Sequence, residues 1–312
     1  MQDMKATKPD QTVLGIGIIL ASVATMAFAD AVVKLVSGDL TVWQVFVARS
    51  VFAVPCLMAI LMAMGIGFRL LSPKWVLIRS TLLVLTWLFF YASLPVLTLS
   101  VAAVAAYTNP IITALLSAIV IGERVSGRQW TGVLLGFLGV IAILKPGTDA
   151  FSWFTVLPLM AAVCYSLAMV LTRGKCQHEQ PLVLGLALHC LFLVTGLIAI
   201  GVLVVIGLDA GTISAFPFLF NGWTAMGARE WGLMALLGVL SAAYFAGVAR
   251  AYQIAPPSII GTFDYAYLVS AAVWGFIFFA ETPDVFTICG MVLITAAGLL
   301  VAVRPANRVV TD

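Results

Sequence analysis

The sequence predicts an all-α polytopic membrane protein, with ten transmembrane helices laid out as two inverted five-helix repeats. Three observations carry that expectation. Of the 312 residues, 63% are hydrophobic and only 9% charged, with a mean hydropathy of +1.14; a soluble domain runs near 45–50% apolar and about 25% charged. The apolar residues gather in ten runs of roughly the 20 residues that a helix needs to cross a bilayer. The second half of the chain also repeats the first.

Composition excludes several classes. Sixteen Lys and Arg and thirteen Asp and Glu are too few to cover a soluble globule of this size, which argues against a cytosolic enzyme, a nucleic-acid-binding domain and a secreted disulfide scaffold. The five cysteines (56, 164, 176, 190, 289) are odd in number and form no C-x-x-C pair. Neither a disulfide framework nor a zinc site is expected, and no cofactor. Ala27-Phe28-Ala29 imitates a signal-peptidase site, but the apolar run already has span length there and continues to Val36, so a retained first helix is expected.

Punctuating the chain at charges, Gly and Pro gives spans over 13–36, 42–64, 73–93, 98–121, 128–145, 153–173, 181–207, 231–250, 258–279 and 285–303. A short uncharged link around Pro95 separates the third from the fourth. The stretch 208–229 is the only long connection, and its Phe216, Phe218, Phe220 and Trp223 suit a segment lying at the membrane surface. With the N-terminus placed in the cytoplasm, twelve Lys and Arg fall on inside ends and loops, among them Arg69, Arg124, Arg128, Arg173 and Lys175. Four fall outside: Lys34, Arg49, Lys145 and Arg229. That asymmetry obeys the positive-inside rule, and an even span count returns the C-terminus to the cytoplasm.

Shifting residues 100–146 by 158 places Ser100 on Ser258, Tyr107 on Tyr265, Glu123 on Glu281 and Gly132 on Gly290; a shift of 139 lays the first helix on the sixth, with Lys34 on Arg173. Five spans per half is an odd number, so the second half enters the membrane from the other side. Inverted repeats of this kind are a recurring plan of secondary transporters, with the substrate near the midplane between the halves. The expected organisation is a cytoplasmic tail (1–12), a first repeat (13–147), a second repeat (148–305) and a second tail (306–312).

The run "AAYTNPIITALLSAIVIGERVSGRQWTGVLLGFLGVIAILKPG" (105–147) resembles the last two helices of an EamA domain of the drug/metabolite transporter superfamily, and "APPSIIGTFDYAYLVSAAVWGFIFFAETPDVFTICGMVLITAAGLLVAVRP" (255–305) resembles the same element again. The resemblance implies ten helices in two inverted repeats and transport of small organic metabolites. Within the superfamily, "ADAVVKLVSG" (29–38), "WQVFVARS" (43–50) and "GTFDYAYL" (261–268) are similar to a subgroup that includes bacterial riboflavin and S-adenosylmethionine transporters.

Ionisable residues inside spans are costly and face a partner or a wet cavity, so each is a site candidate. Asp30 and Lys34 share a face of the first helix at i,i+4, and Arg49 lies at similar depth in the second. Two readings stand: Asp30 bridges Lys34 and Arg49 to hold the two helices together, or the two cations leave net positive charge for an anionic substrate group. Asp264 in the ninth helix has no acidic counterpart at Ala106 of the first half. It either grips an asymmetric ligand, with proton uptake following if it is unpaired, or pairs with Arg250. His189 lies near the position equivalent to Arg49, either as hydrogen-bonded packing or as a relay. Glu123 and Glu281 read as loop anchors outside the site.

Aromatic walls are expected from Trp87 and Tyr91 at i,i+4, the repeat mates Tyr107 and Tyr265, Trp274, Tyr165 and Tyr244. Asn109-Pro110 is expected to kink the fourth span beside the site. Gly132, Gly136 and Gly139 allow close helix approach, within one protomer or against a second copy, which leaves a homodimer open. Together these residues point to a secondary active transporter of the inner membrane, with a cavity lined by helices 1, 3, 4, 6, 8 and 9. It would work by alternating access on a vitamin- or nucleoside-like aromatic solute of the riboflavin or S-adenosylmethionine class. An amino-acid or other metabolite exporter is the alternative. No G-x-x-x-x-G-K-[ST] occurs, so transport would run on a gradient or an exchange partner. An intramembrane enzyme is a distant third: H-E-x-x-H is absent, His178 and His189 are eleven residues apart, and no nucleophile–base pair stands out. The partners expected are a small-molecule substrate and the lipid bilayer, with no nucleic acid.

Overall fold

Once these apolar runs are in lipid, helix is the structure that satisfies every backbone N–H and C=O within its own segment. The computed structural model describes residues 11–34, 40–93, 97, 99–145, 153–280 and 282–302. In chain order the helices are α1 (Thr12–Lys34), α2 (Val42–Ala63), α3 (Pro73–Ser93), α4 (Leu99–Ala106), α5 (Asn109–Val120), α6 (Gly127–Leu144), α7 (Val156–Gly174), α8 (Pro181–Ile206), α9 (Ala210–Ala215), α10 (Pro217–Phe220), α11 (Ala228–Ile254), α12 (Pro257–Asp264), α13 (Ala266–Phe279) and α14 (Val285–Ala302). Ten helical stretches among the described residues are long and apolar enough to cross a membrane, and each coincides with an expected span.

Local chemistry fixes the ends. Thr41 caps α2 by accepting from the Gln44 N–H, and Ser126 and Gln129 form a reciprocal capping box at the start of α6. Gly207, with φ +59°, closes α8 in the left-handed conformation that glycine adopts without penalty.

Two spans are not single helices. The fourth breaks between α4 and α5 at Tyr107-Thr108, and the ninth breaks between α12 and α13 at Tyr265. Tyr107 and Tyr265 are the residues that the 158-residue shift superposes. The sequence led to a kink at Asn109-Pro110; the break begins two residues earlier and recurs in the second half without an Asn-Pro pair.

Packing follows the repeat. The first helix lies against α11, α12 and α13, while its counterpart α7 lies against α3, α4 and α5. Each half thus lends its first helix to the other half's third and fourth spans. α2 packs on its own mate α8, and α6 on its mate α14. At the last crossing a methyl group on Gly139 would sit 2.8 Å from the Gly290 carbonyl oxygen, so only glycine lets these backbones meet. The glycine stripe of α6 therefore packs within the protomer.

α1 and α2 do not form a major packing pair. The 208–229 connection is anchored to the bundle. Leu219 is buried, the Trp43 indole N–H donates to its carbonyl (2.8 Å), and Gln44 donates to the Thr224 carbonyl (2.6 Å) while accepting from its N–H (3.2 Å). Residues 1–10 of the first tail, the whole of the second (306–312), most of the link between the repeats and Glu281 lie outside the described residues.

Candidate functional site: a buried polar column

The cations Arg69, Lys74, Arg124, Arg128, Arg173 and Lys175, in loops and at helix ends, gather at one end of the bundle, the basic end. By helix rise, Asp264 lies about 10 Å in from the basic end and Arg49 about 10 Å in from the other. Between them the bundle centre is lined with hydroxyls and charge.

Near the basic end, Asp264 is 5% exposed and accepts from the Tyr252 hydroxyl (2.7 Å). The Tyr165 hydroxyl faces the same carboxylate, whose Oδ1 has no partner among the described residues. Arg250, the alternative partner, is exposed and does not pair with it. Midway, the Tyr107 and Tyr267 rings stack at 5.9 Å with 28° between planes, and Tyr107 lies within electrostatic reach of both Asp264 and Asp30. The Tyr267 hydroxyl donates to Asp30 Oδ2 (2.7 Å).

Beyond Asp30 comes Arg49, 8% exposed, whose Nη1 makes one long hydrogen bond to the Tyr244 hydroxyl (3.5 Å). The rings of Phe192, Phe46 and Phe245 surround its guanidinium at 4.9, 5.9 and 5.9 Å. Tyr91 lies within electrostatic reach of Asp30, Arg49 and Tyr244, packs on Trp87 (5.4 Å), and carries the Phe218 ring of α10 edge-on at 5.2 Å. The aromatic connection thus covers this end of the column.

Most expected residues therefore converge: Asp30, Arg49, Trp87, Tyr91, Tyr107, Tyr165, Tyr244 and Asp264. Lys34 ends α1, but its side chain lies outside the described residues. Three others are elsewhere. Tyr265 turns away, with its ring against Gly136 and its hydroxyl directed at the Val133 carbonyl (3.4 Å). Trp274 packs on Phe28 (4.9 Å) and donates to the Ala24 carbonyl, which places it in the seam between α13 and α1. His189 is fully buried between Ser50 (3.4 Å) and Ser241 (3.3 Å), against Phe192 and Phe245; it packs behind Arg49 rather than facing the column. Asn109 stands at the helix break, where its carbonyl accepts from Ser166 (2.9 Å) and its side-chain oxygen is buried without a partner among the described residues.

The sequence reading missed Tyr252 and Tyr267. Neither had a local signal: Tyr267 lies beyond the break that separates α12 from α13, and Tyr252 lies in α11, so helical spacing from Asp264 reaches neither. It also missed Arg79, which is 1% exposed and donates through Nε to Thr172 (2.6 Å) while its Nη1 is unpartnered among the described residues. Two open cavities of about 430 and 520 Å³ lie at the basic end, the first beside Arg173 and Gln177 and the second beside Gln180 and Arg250. Neither is lined by Asp30, Arg49 or Asp264.

Side-chain hydrogen bonds tie the elements together at the basic end. Ser258, at the start of α12, donates to Glu123 in the loop after α5, and Gln129 of α6 donates to Ser258 (3.1 Å). Across the bundle, Arg173 donates to the Gln253 carbonyl (2.5 Å), and the Gln253 amide donates to the carbonyls of Cys176 and Glu179 (both 2.8 Å).

Comparison with known proteins fits this architecture. Residues 13–145 match the EamA-like transporter family. The pseudopaline exporter CntI of Pseudomonas aeruginosa is 27% identical over 285 residues, which is 90% of this chain and 94% of the exporter. The first half of the chain is thus similar to the EamA-like transporter family. The S-adenosylmethionine uptake transporter of Rickettsia prowazekii is 22% identical, with 92% of each chain aligned. The riboflavin transporter of Rhizobium johnstonii is 24% identical over 64% of this chain and 61% of its own. One crystal structure superposes with a TM-score of 0.73 at 18% identity, covering 95% of this chain and 97% of the other. The ten apolar helices mark a multi-pass membrane protein, and the relatives it resembles are named as transporters of small metabolites.

Proposed function

We propose that this chain is an EamA-like secondary carrier of the inner membrane, moving a vitamin- or nucleoside-like aromatic solute of the riboflavin or S-adenosylmethionine class by alternating access. The basic end faces the cytoplasm, as the positive-inside rule requires, and the halves divide at 147/148. The observation that carries the reading is the pair of broken helices. Spans four and nine interrupt at repeat-mate tyrosines, and the breaks bracket the Tyr107–Tyr267 stack and Asp264. Discontinuous helices at the repeat interface are where transporters of inverted-repeat design bind their cargo.

The tie at the basic end supports alternation. Ser258 and Glu123 are joined there, and the 158-residue shift gives Ser100 and Glu281 as their mates in sequence. Matched Ser and Glu positions in two inverted halves suit a two-state device in which one end closes as the other opens. Asp264, held by Tyr252 at Oδ2 and faced by the Tyr165 hydroxyl, is the acid placed to carry a coupling proton. Relatives named for riboflavin and S-adenosylmethionine support the solute class.

Reconstitution into proteoliposomes tests this. Saturable uptake of S-adenosylmethionine or riboflavin, accelerated by an imposed pH gradient and by unlabelled solute on the far side, is the expected result. A vesicle preparation with neither uptake nor exchange across a broad metabolite panel would refute it.

A further inference from the structure

A guanidinium buried in a membrane bundle normally has its donors filled, because each vacancy costs a lost hydrogen bond in a medium without water. Arg49 departs from this. Its only hydrogen bond among the described residues is the long one from Nη1 to Tyr244, while Nε and Nη2 are buried and unpartnered. Those two nitrogens form the side-on edge of the fork, the geometry that takes both oxygens of one carboxylate. The rings of Phe46, Phe192 and Phe245 pack around the guanidinium. The acid nearest to hand does not fill the edge: Asp30 feels the Arg49 charge, yet no ion pair joins them, and its Oδ2 is taken by Tyr267.

Opposite charges held apart in a bundle core are unfavourable unless something stands between them. Resting on the transporter reading above, we propose that Arg49 and Asp30 together receive an α-amino-carboxylate head, with the carboxylate on the Nε–Nη2 edge of Arg49 and the ammonium on Asp30. The cargo is then an amino-acid-derived zwitterion whose remaining part extends along the Tyr91, Tyr107 and Tyr267 rings toward Asp264. A neutral solute such as riboflavin would leave both charges unmet. His189, the other titratable group behind Arg49, is engaged by Ser50 and Ser241 and offers nothing to the ligand.

The test compares matched probes on the purified full chain in lipid nanodiscs, by thermal shift and competition binding. The probes are S-adenosylmethionine, its decarboxylated form, L-tryptophan, tryptophan methyl ester, tryptamine and riboflavin. At least one intact zwitterion should bind about tenfold or more tightly than its ester or decarboxylated partner, as loss of a charge-assisted bidentate contact requires. Arg49→Gln should erase that preference, so that acid and ester bind alike. Arg49→Lys, which keeps charge without the fork, should restore part of it and serves as the second variant should the first fail to fold. Esters binding as well as acids in the wild type, a preference that survives in Arg49→Gln, or no binding of any zwitterion while riboflavin binds would each overturn the Arg49–Asp30 assignment and leave the transporter reading standing. No binding or flux with any probe would overturn both.

Discussion

Replacing Glu123 with alanine should open the basic end of the transporter, and the size of the effect follows from the hydrogen bond that Glu123 makes there. Glu123 accepts from Ser258 through one carboxylate oxygen, while the other is buried without a partner among the described residues. A hydrogen bond to a charged group contributes about 1.5–3 kcal/mol. The unmet oxygen works against that sum, so the lower figure applies, and the closed state should lose about 1.5 kcal/mol, or roughly tenfold in the opening equilibrium. Thr262 lies one turn above Ser258 on the same face of α12 and is buried. Placed in a background with the five native cysteines replaced, Thr262→Cys reports opening by its rate of modification with a membrane-impermeant thiol reagent in inside-out vesicles. Glu123→Ala should raise that rate roughly tenfold. The repeat adds a stricter requirement: Glu281→Ala, at the mate position, should lower it, and the double variant should return near the starting value. A rate unchanged by Glu123→Ala, or moved the same way by both substitutions, would show that the Ser258–Glu123 contact only anchors a loop.

Other outcomes follow from single contacts. Tyr252→Phe removes the hydroxyl from Asp264 Oδ2; it should weaken transport by about tenfold and shift its pH profile, whereas Tyr265→Phe, whose hydroxyl is directed at the Val133 carbonyl instead, should leave flux unchanged, both measured as initial uptake rates. Gly139→Ala places a methyl group 2.8 Å from the Gly290 carbonyl and from the Ile294 side chain, so the melting temperature in detergent should fall, corresponding to about 1–3 kcal/mol of overpacking. Burial pushes the Cys176 thiol up to about 11 from an ordinary 9, against the pull of Arg79. Near neutral pH it should carry about a hundredfold less thiolate than a free cysteine and react with N-ethylmaleimide correspondingly slowly until the protein is unfolded. Gln44→Ala cuts the two hydrogen bonds that tie Thr224 to α2, leaving the Trp43–Leu219 bond to hold the 208–229 connection; modification of Phe218→Cys from the outer face should then become faster.

Span number and span ends were readable because hydropathy and capping act locally: Thr41, Ser126 and Gly207 sit where the helices begin or stop. The charged half of the site was readable too, since an Asp or Arg in an apolar run stands out whatever surrounds it. Which tyrosine faces the centre was less accessible. Alignment with Tyr107 favours Tyr265 over Tyr267, but Tyr107 and Tyr265 both lie at helix breaks, where the 3.6-residue period restarts and a shared alignment position no longer means a shared face. The path of residues 208–229 depends on Trp43 and Gln44, some 180 positions away in sequence, and no local pattern encodes such a contact.

The symmetry and its violations divide the labour of the molecule. What the two halves share is mechanical: the breaks at Tyr107 and Tyr265, the glycine crossing of α6 on α14, and the exchange of first helices between halves. What they do not share is chemical. Arg49 aligns near His189, which is sealed by two serines, and Asp264 aligns with Ala106, which cannot carry charge. Asp30 falls on Met169 of the first-helix mate, buried in the apolar core. Motion between two equivalent states needs matched halves, so mechanical positions are held in common. Recognition of a cargo with distinct ends needs unmatched ones, and each of the three charges in the column stands where its mate carries no charge able to replace it. Converting Ala106 to Asp would test that division directly: if the asymmetry serves recognition, the added acid should compete with Asp264 for the cargo and slow transport while leaving the Thr262→Cys opening rate in place.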